Sequence, residues 1–373
     1  MTNTTFRPLG ELVVNLSRMR VPVKAADRRL GSYPYYGASG VVDYVDDYLF
    51  DGLHLLVAED GENLRSRKTP IAFLANGRFW VNNHAHVLQG NDENDTRYLS
   101  YALEAADVSA YVTGSAQPKL SQRSLNAIEI PAPSLDEQRA IAATLGALDD
   151  KIESNRRAIG QIGDLVDAYS ERFGKALPTV SLGTLTTVFK KTVKPTALNG
   201  RLVDHFSLPA FDAGASPERV SASTIMSNKL VVPPGAILLS RLNPRFNRTW
   251  WTSVNPAVPG LASTEFLVFT TTSATDLAAV WLALRDPSFR DELPRRVTGT
   301  SGSHQRVRPD DVLGISVPDF RGVDPELKKA TLAMLRTANQ LRTQLGKLVA
   351  LRDALLPELL SGRIRVPVEG ADV

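Results

Sequence analysis

The stretch that decides the fold is DEQRAIAATLGALDDKIESNRRAIGQIGDLVDAYSERF, residues 136–173. Its apolar side chains recur at alternating spacings of four and three residues, and Asn155 takes the one polar slot of that row. Such spacing over five turns or more is typical of a coiled-coil helix, in which a buried Asn fixes the register. Ser134 followed by Glu137 predicts a capping box at its start. At 1.5 Å per residue the helix would be about 57 Å long.

A second helix with the same register is predicted near the end of the chain. Its slots begin at Met334 and end at Leu359, and subtracting 186 from each gives a slot of the first helix. We expect it to run from about Pro325 to Leu360. The two helices can pair antiparallel, or each can pack on its own globular segment, and the sustained spacing favours the pair. The predicted interface consists of Leu145, Leu148, Ile152, Asn155, Ile159, Ile162, Leu341, Leu345, Leu348 and Leu355.

The repeat extends into the segments that precede the helices. Residues 9–12 match residues 182–185, and residues 114–117 match residues 302–305 at an offset of 188. Short apolar runs between Gly, Asp and Asn predict strands in both segments. The predicted fold is therefore α+β: two mixed, strand-rich domains separated by two long antiparallel coiled-coil helices, with a pseudo-two-fold internal repeat. The predicted divisions are a first domain at 1–135, a helix at 136–176, a second domain at 177–323, and a helix with a tail at 324–373.

Composition excludes several classes of protein. The chain of 373 residues has no cysteine, so it forms no disulfide or thiolate metal site. No apolar run approaches 18 residues and the N-terminus is polar, so we expect a soluble, cytoplasmic protein. Net charge is −2 over residues 1–135 and +4 over residues 177–320. The second domain is therefore the more basic of the two.

Catalytic motifs are weak in this sequence. His84 and His86 could form a metal pair on a strand, but no third ligand follows, and five histidines are few for a metalloenzyme. Residues 243–246, Asn-Pro-Arg-Phe, approach the Asn-Pro-Pro-aromatic motif of amino methyltransferases but lack its second proline and a preceding Gly-rich cofactor turn. We therefore predict no catalytic residue, no metal and no cofactor in this chain.

Binding motifs are stronger. Residues 33–40 form an aromatic, Gly-punctuated segment that we interpret as a loop able to approach a groove, and residues 82–86 place Asn and His side chains at a strand end, where Asn can pair with adenine. Solvated surface charge is the alternative interpretation. The DNA contacts predicted in the first domain are Tyr33, Tyr35, Tyr36, Ser39, Arg65, Arg67, Lys68, Asn82, Asn83, His84, His86, Ser115, Gln117 and Lys119.

The second domain has two basic clusters. Residues 241–248 hold three arginines and two asparagines, and residues 295–296 lead into a loop rich in Gly, Ser and Arg. Clusters of this kind neutralise phosphates. The contacts predicted here are Arg241, Asn243, Arg245, Asn247, Arg248, Arg295, Arg296, Ser303, His304, Gln305 and Arg306.

The chain resembles the specificity subunits of type I restriction–modification systems. The resemblance rests on residues 33–40, on Phe-Trp-Val-Asn-Asn-His-Ala-His-Val at 79–87, on Gly-Ser-Ala-Gln-Pro-Lys at 114–119 with the following helix start, and on residues 355–364. It extends over essentially the whole chain. The second domain departs where Gln305 is followed by Arg306-Val307 instead of Pro-Lys.

The resemblance implies a non-catalytic reader of double-stranded DNA. Each target-recognition domain would read one half of a bipartite, asymmetric target, with the helices as a ruler between the halves. Two modification subunits carrying S-adenosylmethionine would methylate adenine, and two restriction subunits using ATP and Mg²⁺ can join them. The alternative is a two-headed coiled-coil scaffold without DNA specificity. An autonomous methyltransferase is disfavoured by the missing cofactor turn.

Overall fold

The computed structural model describes residues 5–298 and 305–367, which form two compact units. The first unit comprises the described residues up to Asp150 together with those from Val349 onward, and the second is Lys151–Leu348. Both long helices therefore contribute to both units. The four divisions proposed from the sequence separate the long helices from the domains, whereas each of these units contains part of both helices. Those four divisions stay a prediction.

The two long helices are Leu135–Gly174 and Pro325–Leu360. The capping box is present, because the Ser134 hydroxyl accepts from the Glu137 amide at 3.4 Å while the Glu137 carboxylate accepts from the Ser134 amide at 3.3 Å. Within the second unit, Ile159 and Val166 line the same cavity as Leu335 and Arg342. Ile159 and Val166 are slots of the heptad pattern, whereas Leu335 and Arg342 are not, so the predicted interface between the helices stays a prediction.

The ends of the helices also pack on the globular segments. Ile141 and Leu145 belong to the hydrophobic core of the first unit, which also contains Leu359. Val166 belongs to the core of the second unit. Heptad residues near the helix ends are buried against strands and short helices as well as against the other long helix. Pairing of the helices and packing of each on a globular segment therefore do not exclude each other.

The first unit contains a four-stranded antiparallel sheet in the order Val13–Asn15, Ala85–Gly90, His54–Ala58 and Ala72–Ala75. A three-stranded sheet has the order Gly40–Val45, Leu30–Gly37 and Trp80–Val81, the last two being parallel. A two-stranded pair joins Phe6–Pro8 to Glu129–Pro131. The helices are Leu9–Leu12, Asn63–Ser66, Thr96–Ala105 and Gln122–Asn126.

The second unit repeats this plan. Its four-stranded sheet has the order Thr187–Val188, Phe266–Thr270, Ile237–Ser240 and Thr249–Trp251. Its five-stranded sheet has the order Thr192–Val193, Lys229–Val232, Gly260–Ala262, Leu202–Phe206 and Glu218–Ser221. Two pairs join Thr179–Ser181 to Ser316–Pro318 and Val297–Thr298 to Arg306–Val307. The helices are Leu208–Asp212, Ala274–Arg285, Pro287–Glu292 and Pro309–Leu313.

One prediction about local structure was wrong. Residues 33–40 are not a loop, because residues 33–37 continue the strand Leu30–Gly37, which turns through Ala38 and Ser39 into Gly40–Val45. Gly40 has a φ of +115°, a conformation that glycine adopts without strain. The segment is therefore a β-hairpin whose alternate side chains face opposite ways.

Candidate nucleic-acid interface

Three loops of the first unit meet at one junction. The Glu59 amide donates to the His84 carbonyl at 2.8 Å, the Leu120 amide donates to the Glu59 carbonyl at 2.8 Å, and the Gly61 amide donates to the Pro118 carbonyl at 3.0 Å. These bonds bring together the segments at 59–68, 82–86 and 113–120. The sequence had assigned DNA contacts to all three segments separately, and the fold places them side by side.

The second unit builds the same junction with other residues. The Arg241 amide donates to the Glu265 carbonyl at 2.7 Å, the Val307 amide donates to the Arg241 carbonyl at 3.1 Å, and the Asn243 amide donates to the Gln305 carbonyl at 2.8 Å. Arg241 thus occupies the position of Glu59 in the first unit, and Glu265 occupies that of His84.

These bonds correct the alignment of the repeat. The amides of Leu120 and Val307 make equivalent bonds, so the offset here is 187 rather than the 188 taken from the sequence. The bridges between Asp60 and Lys119 and between Leu242 and Arg306 agree with this offset. Lys119 is therefore equivalent to Arg306, and both positions hold a cation, so the departure is reduced to Gln305 in the position of Pro118.

A carboxylate anchors each of these cations. In the first unit Glu59 lies 3.5 Å from the Lys119 ammonium and 2.9 Å from the Arg20 guanidinium. Burial alone would raise the pKa of the Glu59 carboxyl, but the Arg20 hydrogen bond and the positive charges of Arg20 and Lys119 outweigh it and lower the pKa. Lys119 keeps 56% of its side chain exposed, so it remains open to a phosphate.

In the second unit Glu265 binds the Arg306 guanidinium through Nη2 at 2.8 Å and Nε at 3.0 Å. This hydrogen bond lowers the pKa of Glu265. Arg306 is 40% exposed. Arg241 donates from Nε to the Val307 carbonyl at 3.3 Å, so part of its guanidinium holds the strand instead of facing solvent.

Two predicted contacts of the first unit are buried and are withdrawn. The Tyr35 ring is 1% exposed, its hydroxyl bonds to the backbone of Val23, and the Arg28 guanidinium lies 4.3 Å from the ring centroid. His86 is also 1% exposed, with Nε2 at 2.8 Å from the Leu120 carbonyl, and burial lowers its pKa. Both side chains position neighbouring segments and do not reach the surface.

The side chains of the Asn-Asn-His segment, residues 82–84, make different contacts. The Asn82 side-chain oxygen accepts from the His84 amide at 2.8 Å, so this oxygen closes a local turn and cannot complete a two-bond contact to adenine. His84 is exposed and lies 2.8 Å from Asp60, while His86 faces inward, so the two imidazoles bind different groups. Asn83 is exposed and remains the amide best placed to read a base.

The other predicted residues of the first unit are either engaged in contacts within the protein or exposed. Arg65 donates to the backbone carbonyls of Gly114 and Ser115, and Arg67 donates to the carbonyl of Glu104, so both fasten loops. Tyr33 and Tyr36 are half-buried against other aromatic rings. The exposed group comprises Ser39, Lys68, Ser115 and Gln117.

In the second unit the two basic clusters meet, because the turn Pro244–Phe246 packs against the turn Leu293–Arg296. Arg245 is exposed at the first turn. Arg295 and Arg296 lie 3.6 and 2.7 Å from the Glu292 carboxylate, which neutralises part of their charge. Gln305 is half-buried, and the predicted contacts Ser303 and His304 lie outside the described residues.

The two asparagines that flank this turn determine its backbone conformation. Asn243 and Asn247 have φ values of +48° and +43°, a left-handed conformation that Asn tolerates better than most residues. The Asn247 side-chain oxygen accepts from the Thr249 hydroxyl at 3.0 Å. Phe246, the most exposed apolar side chain of this turn, was noted only as part of the Asn-Pro-Arg-Phe motif and was not among the predicted contacts. Its flanking arginines were the signal that could have found it.

Neither a metal site nor a membrane span is found in the described parts of the chain. Among residues 5–298 and 305–367, no three His, Asp or Glu side chains are grouped so that they could hold a metal ion. No helix within the same residues is long and apolar enough to cross a membrane.

Comparisons with known proteins agree with this arrangement. Residues 1–163 match the family described as the type I restriction modification DNA specificity domain. The resemblance inferred from the sequence is thereby confirmed. A curated type I restriction enzyme specificity subunit of Haemophilus influenzae, S.HindORF215P, is 36% identical over 143 residues, which are 38% of this chain and 37% of that protein.

The specificity subunit of the type I restriction enzyme EcoprrI of Escherichia coli is 30% identical over 120 residues, which are 31% of this chain and 28% of that protein. These matches thus span about a third of the relatives' length. The crystal structure of a type I restriction–modification S subunit from M. genitalium aligns with 95% of this chain and 96% of its own, at 15% identity and a TM-score of 0.68. This likeness confirms the predicted α+β fold with its long helices.

Proposed function

We propose that this chain is the DNA-recognition subunit of a type I restriction–modification complex, and that it catalyses nothing itself. Each unit would read one half of a bipartite, asymmetric target. The observation that carries the proposal is the loop junction, which is built twice on the same backbone hydrogen bonds with unlike side chains. Two equal frameworks with different surfaces suit two different half-sites.

Phosphate contacts would come from the anchored cations. Lys119 and Arg306 occupy equivalent positions, each is held by a carboxylate, and each keeps much of its surface exposed. Replacing either by Met should weaken binding about equally for all sequences and lower the salt dependence by about one phosphate contact. Relaxed base preference at one position would contradict this role.

The long helices would set the gap between half-sites. The first helix has 40 residues, or about 60 Å at 1.5 Å per residue, against about 34–36 Å for one turn of DNA. Inserting four residues beside Asn155, close to one helical turn, should lengthen the unspecified spacer while both half-sites stay the same. An unchanged spacer length in the target would contradict the proposal that the helices set the gap.

The proposed partners are double-stranded DNA and two modification subunits that carry S-adenosylmethionine and methylate adenine. Two restriction subunits using ATP and Mg²⁺ can join this complex, and we place the complex in the cytoplasm. The domain divisions at 135, 176 and 323 are part of the same proposal.

The decisive experiment is methylome mapping of host DNA with and without the gene. Loss of adenine methylation at one bipartite motif is expected. Loss at a continuous palindrome, or no change, would overturn the proposal. A scaffold without DNA specificity is separated by a mobility-shift assay with the modification subunit present, in which a salt-sensitive, sequence-dependent shift is expected only for a DNA reader.

A further inference from the structure

Phe246 is an exposed aromatic side chain in the middle of a basic surface. It ends the turn Pro244–Phe246 and has 54% of its surface exposed. The strands that flank this turn, Ile237–Ser240 and Thr249–Trp251, are buried throughout. The ring therefore stands on a rigid base and contributes nothing to the core that its own strands form.

Two arginines hold the ring in place. The guanidinium carbons of Arg245 and Arg248 each lie 4.8 Å from the Phe246 ring centroid. Arg248 is fixed in turn by two bonds to the Asp212 carboxylate, at 2.7 and 2.9 Å. Contacts of this kind stabilise a ring orientation even at a partly exposed site. These contacts restrain the orientation of the exposed ring.

The surroundings of the ring favour a polyanion that also carries an apolar group. Arg245 is exposed beside the ring, and the turn with Arg295 and Arg296 packs against the Phe246 turn. DNA offers phosphates around its grooves, and the group in the major groove that suits an apolar side chain is the thymine 5-methyl. The two guanidinium groups beside the ring restrict the surface that it can offer to a base pair, which favours a methyl contact over insertion between base pairs.

We propose that Phe246 reads the 5-methyl group of a thymine in the half-site bound by the second unit. The inference rests on the proposed DNA-recognition function and adds one specified contact to it. Arg245, which is exposed beside the ring, would neutralise a flanking phosphate, and the ring would exclude water from the methyl group. Cytosine and uracil at the same position lack that methyl group and leave the ring edge in water.

The experiment uses the full chain with its modification subunits and a duplex that carries the mapped target. Each thymine of the second unit's half-site, on both strands, is replaced in turn by deoxyuridine, which removes only the methyl group. Binding of the native protein is expected to weaken about fourfold at one position, the value of one buried methyl-sized group at about 0.8 kcal/mol. Phe246→Ala should bind the thymine duplex about fourfold more weakly and show no further loss with deoxyuridine.

Met226→Ala is the matched control. Met226 is an apolar side chain of the same unit with 95% exposure, and it lies outside the turn. The control variant should keep the native response to deoxyuridine. Thermal unfolding of both variants checks that an exposed truncation has left the fold intact.

The possible results separate the contact from the function. A native protein that responds to no thymine replacement, or a Phe246→Ala protein that keeps the full response, overturns the contact while target binding stands. Weakening by Phe246→Ala with no response to deoxyuridine in either protein indicates insertion between bases and also overturns it. Absence of target-dependent binding by the native complex refutes the DNA-recognition function itself.

Discussion

The ion pair between Glu59 and Arg20 should control the order of the loops at 59–68 and 82–87 in the first unit. Arg20 donates to the Glu59 carboxylate at 2.9 Å and to the Ala85 carbonyl at 2.7 Å, and it also reaches the Asn83 carbonyl at 3.3 Å. Glu59→Gln removes the charge and keeps the size of the side chain. The guanidinium then stays in place against the backbone without its counter-ion.

The expected magnitude follows from the burial of the pair. Only 15% of the Arg20 side chain and 17% of the Glu59 side chain are exposed, so solvent screens the pair weakly. A hydrogen bond to a charged group contributes about 1.5–3 kcal/mol, and breaking a fully buried pair costs about 3–5 kcal/mol. We expect about 2 kcal/mol of local destabilisation, which corresponds to an about thirtyfold larger opening equilibrium constant for the loop at 82–87.

Hydrogen exchange measures this opening directly. Peptides that contain residues 82–87 should lose protection by about thirtyfold in Glu59→Gln, with little change in the long helices. Glu11→Gln is the control, because the Arg7–Glu11 pair is exposed and should contribute less than about 0.5 kcal/mol. Equal protection of residues 82–87 in both variants would refute the anchoring role of Glu59.

The same pair predicts a dependence on pH. Because the pKa of Glu59 is lowered in the folded protein, its contribution is present in full above the ordinary pKa of a glutamate and is lost as the pH falls through the lowered value. The difference between wild type and Glu59→Gln should therefore be constant near neutral pH and vanish on acidification. A difference that grew on acidification would have the wrong sign.

Three further substitutions test the structure. Asn155→Leu should stabilise the second unit by about 1–2 kcal/mol in urea unfolding, because Asn155 is 1% exposed and its Nδ2 has no partner among the described residues; a loss of stability would show that the amide is satisfied. Asp167→Asn should destabilise the same unit by about 2 kcal/mol, because it leaves Arg285, bound at 2.5 Å, without its counter-ion; an unchanged urea midpoint would contradict this. Ser134→Ala should cost about 1 kcal/mol by removing the cap shared with Glu137, seen as faster exchange in the first helical turn.

The long helices could be predicted closely because their signals are local. The sequence placed the first at 136–173, and it spans Leu135–Gly174; the second was placed at Pro325 to Leu360, and it has those bounds. Apolar periodicity and capping side chains act within a few residues of chain, so they can be read without knowing the tertiary fold.

The interface could be predicted only in part, because its geometry depends on contacts between distant residues. Within the hairpin, Tyr35 faces the core while Ser39 is at the tip, and composition alone does not tell which alternate residues face inward. Arg65 looks like a free phosphate contact until its bonds to the loop at 114–115 are known. The one-residue error in the repeat likewise needed the backbone bonds that align Leu120 with Val307.

The two junctions indicate which positions are free to set specificity. Their backbone bonds are equivalent, and a cation occupies the same position in each, yet the carboxylate that anchors it comes from Glu59 in one and from Glu265, on a different loop, in the other. Both junctions therefore contain an ion pair at the same place, although the acidic residue comes from a different loop in each unit. If each unit reads one half-site as we propose, the junction is a common framework, and the proposed specificity contacts are side chains that project beyond it, such as Asn83 in the first unit and Phe246 in the second.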